Sequence, residues 1–144
     1  DLIRVVNFVK SARIGYTKLL MANIGYKIQH KRRNVMMWSP TDPDAEDISK
    51  SHVNGLIRDV PVMLELAPWF GRKDGNNTLD NKVFSNRRNL WIRGGKASRN
   101  YREKSPDEVI YDELSKFDAD VEGEGSPTFL GDKRLDGAVY PKSI

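Results

Sequence analysis

The feature that most limits what this chain can fold into is an apolar, β-branched run that stops at a lysine and gives way to a helical pattern. Leu2-Ile3-Arg4-Val5-Val6-Asn7-Phe8-Val9 shows no helical spacing and predicts a buried strand. After a short loop, Thr17 opens a predicted helix reaching about residue 31. In it Leu19, Leu20, Ile24 and Ile28 recur at helical spacing, while Lys27, Lys31, Arg32 and Arg33 gather toward the end where the helix dipole favours cations. Asn34-Val35-Met36-Met37-Trp38 is a second short strand. Strand, loop, helix, strand is a βαβ unit with a right-handed crossover. The expected class is therefore α/β, with a mostly parallel sheet covered by helices on both faces.

The rest of the chain fits that frame. Asp42 is the expected N-cap of a helix running to about Arg58, with Pro43 at its first position and Asp44, Glu46 and Asp47 in its first turn. Pro61 starts a shorter helix that ends before Pro68, and Gly71, Gly75, Asn76 and Asn77 mark a loop. Residues 78–84 and 89–93 are β-rich and flank Ser85-Asn86-Arg87-Arg88, which predicts a β-hairpin insertion with a basic tip, stopped by Gly94-Gly95. Residues 96–105 form a polar, basic connector with one helical turn, and residues 108–111 a short strand. Ser126 caps a helix reaching about Asp136, and Ala138-Val139-Tyr140 begins a last strand.

Composition excludes several chemistries. No cysteine is present, and His30 and His52 alone cannot make a zinc site. No apolar stretch reaches the length of a membrane span and no signal-peptide pattern opens the chain, so no membrane role is expected and the cytoplasm is the expected compartment. With 144 residues, beginning at Asp1 and stopping inside an apparent strand, the chain reads as a single partial domain of a longer protein. The net charge of +4 hides banding: +7 over residues 1–40, −4 over 41–70, +7 over 71–104 and −6 over 105–144. Basic bands suit polyphosphate or nucleic acid, and equally a mixed solvated surface.

Two segments carry the chemistry. Lys10-Ser11-Ala12-Arg13-Ile14-Gly15-Tyr16-Thr17-Lys18 sits between strand and helix, where a phosphate-binding loop belongs. Against the standard pattern G-x-x-x-x-G-K-[ST], aligned on Gly15 and Thr17, Lys10 takes the first position and Tyr16 stands where lysine is expected. A cation at the loop entrance still reaches the β- and γ-phosphates, because the loop folds back over them. Gly15 lets the backbone approach, and the positive end of the following helix faces the phosphate. Arg13 is a second nearby cation. Lys18 is a competing phosphate lysine, although its place inside the helix points it along the flank.

About a hundred residues on, Val109-Ile110-Tyr111 ends in Asp112 and Glu113. Adjacent positions at a strand end point in different directions. The expected assignment gives Mg2+ to Asp112, together with the Thr17 hydroxyl, and the attacking water to Glu113. Two solvent-facing loop acids are the alternative. The arginines of the connector, Arg99 and Arg102 among them, can contact DNA phosphates or act as a finger toward a neighbouring subunit's nucleotide. Trp38, Trp69 and Trp91 are expected in the core.

The run 10–18 resembles the deviant phosphate loop of the lambda-type large terminase subunits, the motors that package viral DNA. So do Trp38-x-Pro40-Thr41-Asp42, Leu66-Ala67-Pro68-Trp69, Gly94-Gly95-Lys96-Ala97, Asn100-Tyr101-Arg102-Glu103-Lys104-Ser105, Tyr111-Asp112-Glu113-Leu114 and residues 125–134. The resemblance implies a P-loop NTPase with a helicase-like core that binds ATP and Mg2+ and hydrolyses ATP. It further implies that Lys10 is the phosphate-contacting lysine. The implied partners are double-stranded viral DNA, a small terminase subunit, the portal of the procapsid and other copies of the same chain. A C-terminal nuclease domain and a coupling motif are expected outside residues 1–144. The rival functions are a helicase-like ATPase of another DNA transaction and a non-catalytic nucleic-acid-binding scaffold.

Overall fold

The computed structural model describes residues 3–11 and 15–144. Leu2 of the first expected strand, and Ala12, Arg13 and Ile14 of the expected phosphate loop, lie outside the described residues. Five strands form one sheet in the order β2-β3-β1-β4-β5. They are β1 (Val35–Ser39), β2 (Asn81–Val83), β3 (Asn89–Gly94), β4 (Glu108–Tyr111) and β5 (Lys142–Ser143). Only the β2–β3 pairing is antiparallel, so the sheet is mostly parallel with a hairpin at one margin, as the sequence predicts.

The centre of the sheet follows from its residue types. Every residue of β1 is buried, and its side chains alternate between two cores. Val35 and Met37 join Leu90, Ile92 and Ile110 under the helices α1 (Tyr16–Gln29), α2 (Asp42–Asp47), α3 (Asn54–Asp59) and α4 (Pro61–Glu65). Met36 and Trp38 join Trp91, Val109 and Tyr111 on the opposite face, covered by α5 (Pro127–Asp132) and short 3-10 turns. Trp38 stacks between Tyr101, at 4.8 Å, and Tyr111, at 5.4 Å. Its indole N–H donates to the Asn100 carbonyl, so the tryptophans are core side chains as expected.

Two helix termini show why their residue types were needed. Ser126 Oγ accepts from Phe129 N at 3.3 Å and caps α5. At α2 the cap is Thr41, one residue before the expected Asp42, because Thr41 Oγ accepts from Asp44 N. The Asp42 carboxylate instead accepts from Gly94 N and Asn100 Nδ2, each at 3.2 Å, tying α2 to the end of β3. Gly94 is required there: a Cβ would lie 2.3 Å from Asp42 Oδ1.

Four expectations need correction. Residues 3–9 do not form a buried strand. They run as an extended margin beside β5, with one bridge, Val5 to Ser143, and bonds from Val6 N to Ser143 O and from Ser143 N to Arg4 O. Phe8 and Val9 are exposed: β5 flanks the segment on one side, and the Phe8 ring is held only at its contact with Tyr16, the first residue of α1, among the described residues. The last strand is Lys142–Ser143 rather than residues 138–140; Val139 and Tyr140 are exposed, and Pro141, which cannot donate to a ladder, precedes the strand. In α1 the inward positions are Leu20, Met21, Ile24 and Ile28, while Leu19 faces outward. The long helix expected over 42–58 is interrupted by a π-helical stretch, Ile48–Val53.

Candidate nucleotide site

In a parallel sheet every strand delivers its carboxyl end to the same rim, where ligand crevices form. Residues 3–9 run parallel to β5 and β5 runs parallel to β4, so Lys10 and Asp112 emerge on one rim. A cleft of about 680 Å³ lies there, lined among others by Phe8, Lys10, Tyr16, Glu113 and Lys116. Gly15, in the left-handed region with φ 77°, turns the chain into α1; that conformation, rather than crowding, is what favours glycine. The fourteen-residue α1 thus starts at Tyr16, one residue before the expected Thr17, which lies half-buried in its first turn.

Asp112 is held inward by its backbone N–H, which donates to the Trp38 carbonyl at 3.0 Å, and only 9 % of the residue is exposed. Burial raises its carboxyl above the ordinary range and the neighbouring Glu113 charge adds to the rise, whereas Lys10 and His52 oppose it. The charge of Lys10, which lines the cleft, thus favours the ionised form of Asp112. Glu113, the next residue, lines the cleft itself. Its backbone sits at φ 53°, a strained conformation for a side-chain-bearing residue, and its exposed carboxylate pairs with Lys116 at 2.7 Å.

Of the other expected site residues, Ser11 is exposed beside Lys10. Lys18 is exposed in the first turn of α1. Arg99 is exposed, and Arg102 is engaged with Glu124 at 2.5 Å. Sequence reasoning missed His52 and Lys116. His52 reaches Asp112's field from the π-helical stretch, an irregularity with no sequence signature here, although such stretches recur at functional sites. Lys116 was legible as the i+3 partner of Glu113.

Among the described residues no cluster of three or more His, Cys, Asp or Glu is placed to hold a metal by itself. A hard divalent cation shared with a phosphate needs fewer protein ligands, typically one or two carboxylates or hydroxyls. Asp112 suits it: its charge is disfavoured by burial and by Glu113, and a nearby cation would relieve both. This has a consequence for stability. A carboxyl whose folded-state pKa is raised contributes stability below its ordinary range, and that contribution is lost as pH rises through the raised value. Without nucleotide or metal, Asp112→Asn is expected to raise the melting temperature at neutral pH, with the gain shrinking as the solution is acidified. Thermal denaturation across pH checks this; a lower melting temperature at neutral pH would mean Lys10 and His52 already outweigh the burial.

The family model described as "Phage terminase large subunit gpA, ATPase domain" matches residues 1–144. The terminase large subunit of Enterobacteria phage P21 is 62% identical over 144 residues, all of this chain and 22% of that protein. The terminase large subunit of Escherichia phage lambda is 59% identical over 144 residues, again all of this chain and 22% of that protein. The chain thus spans under a quarter of the length of these curated relatives. No solved structure matches. No helix among the described residues is long and apolar enough to cross a membrane.

Proposed function

The chain belongs to the phage terminase large subunit ATPase-domain family, and on that premise we propose that residues 1–144 are the nucleotide-binding part of a P-loop, helicase-like motor that hydrolyses ATP to drive viral DNA into a procapsid. What supports the reading is that Lys10 and Glu113 line one cleft at the rim where α1 begins, with the Lys10 charge favouring the ionised form of the neighbouring Asp112. One cation, one helix N-terminus and one buried carboxylate together suit a triphosphate and its magnesium ion.

In the proposed mechanism Lys10 contacts the β- and γ-phosphates from the loop entrance, and the first turn of α1 presents backbone N–H groups to them. Thr17 and Asp112 would hold Mg2+, which when bound would neutralise charge on the phosphates. Glu113 orients a water toward the γ-phosphorus and accepts its proton. That requires Glu113 to leave Lys116, an exposed pairing that costs little to break. The site then works by positioning and charge stabilisation. We further propose that the motor assembles from several copies of the chain at the portal, with a small terminase subunit and double-stranded DNA as partners. The exposed arginines of residues 93–104 are the DNA-facing or finger candidates.

Binding of a fluorescent ATP analogue by the full-length subunit tests this reading. Lys10→Ala is expected to weaken binding by about ten-fold or more, since a hydrogen bond to a charged group is worth about 1.5–3 kcal/mol. Unchanged affinity would remove Lys10 from the phosphate and return the assignment to Lys18 or Arg13.

A further inference from the structure

Tyr16 occupies the place where the standard loop carries its lysine, and three observations converge on its ring. The Lys10 ammonium stands 5.5 Å from the ring centroid, on the geometry of a cation–π contact. The Phe8 ring packs against it at 5.2 Å with a 52° tilt. Phe8, Lys10 and Tyr16 line the same cleft, together with the Glu113 carboxylate. Among the described residues no carboxylate is ion-paired with Lys10, and the Tyr16 face is a contact its ammonium makes there.

We propose that Tyr16 is the positioning residue of this cleft: its π-face, braced by Phe8, holds the Lys10 ammonium toward the space that faces Asp112. The inference rests on the nucleotide reading of the cleft and deepens it. A lysine at a loop entrance carries a long, rotatable stem, and ordering it at the moment of binding costs entropy. A ring that pre-orders the stem lowers that cost. On this account the tyrosine is the counterpart of the displaced lysine: position 16 gave up the charge and kept the task of placing one.

The test is a ring series at position 16 in the full-length subunit, read by affinity for a fluorescent ATP analogue and by the separate changes in KM and kcat. Tyr16→Phe keeps the π-face and is expected to bind like the wild type. Tyr16→Leu is expected to weaken binding about five-fold, the scale of one cation–π contact, with KM rising more than kcat falls. Trifluorophenylalanine at position 16 keeps the ring's shape and removes its negative face, so it should weaken binding relative to Phe without disturbing the fold. In a Lys10→Ala background none of these differences should remain. Equal affinity of the Phe and trifluorophenylalanine variants, or an undiminished Leu effect in the Lys10→Ala background, would overturn the positioning role. If Lys10→Ala itself leaves affinity unchanged, Lys10 is not the phosphate lysine and the assignment on which the positioning role rests fails instead, so the two failures are distinguishable.

Discussion

Glu113→Gln in the full-length subunit is expected to bind ATP with near wild-type affinity and to turn it over about 10²–10⁴-fold more slowly, the range for losing a positioned general base. The substitution keeps the size and hydrogen-bonding reach of the side chain and removes its basicity. It also removes the ion pair with Lys116, but both side chains are well exposed there, so the fold should lose little. The left-handed backbone at φ 53° is a strain that either residue type bears. Steady-state ATPase assays beside equilibrium binding measure the two quantities separately. Wild-type turnover by the variant would take Glu113 out of the reaction.

The largest effect on stability is expected far from the cleft. Glu108, at the amino end of β4, is fully buried; Lys27 of α1 reaches it at 3.0 Å and Asn23 donates to its other oxygen at 2.8 Å. Glu108→Ala leaves the Lys27 ammonium buried without its counter-charge, and breaking such a pair from one side costs about 3–5 kcal/mol. A paired change, Lys27→Met with Glu108→Leu, should recover much of that loss, because apolar side chains of similar volume avoid the desolvation of both charges. Urea unfolding of the single and double variants measures this. Equal stability of Glu108→Ala and wild type would show that water reaches Lys27 after all. Glu108 and Asp112 are about 13 Å apart along an extended strand, so nucleotide affinity should change little while the protein stays folded.

Most of the sheet was legible because its central strands are short, apolar and closed by turn chemistry. The residues of β4 coincide with the expected run, β1 and β3 differ from it by a residue, and α5 begins at the serine cap read from Ser126-Pro127. Margins were not legible. The β-branched run at residues 3–9 and the run at 138–140 have the composition of buried strands, yet burial depends on neighbours, and composition does not show what lies beside a strand. The π-helical stretch was hidden for another reason: Ile48–Val53 contains no Pro or Gly to mark an irregularity, yet it carries His52, whose charge acts on Asp112.

The candidate site was legible in part. Lys10, Tyr16, Asp112 and Glu113 could be singled out from motif position, and parallel strand order explains why a lysine and a carboxylate a hundred residues apart meet at one rim. The cation–π contact between Lys10 and Tyr16 and the buried Lys27–Glu108 pair were not legible, since both depend on side-chain placement across elements. The Lys27 charge in particular reads in sequence as an ordinary cation near a helix C-terminus.

The most direct measurement is an experimental structure of the full-length subunit with magnesium and a non-hydrolysable ATP analogue. The account predicts the triphosphate in the cleft between the start of α1 and the end of β4, with the Lys10 ammonium about 3 Å from a β- or γ-phosphate oxygen and the metal beside Asp112. A nucleotide seated instead at Lys18, or in the separate cleft lined by Asp42, Asp80 and Arg93, would contradict it.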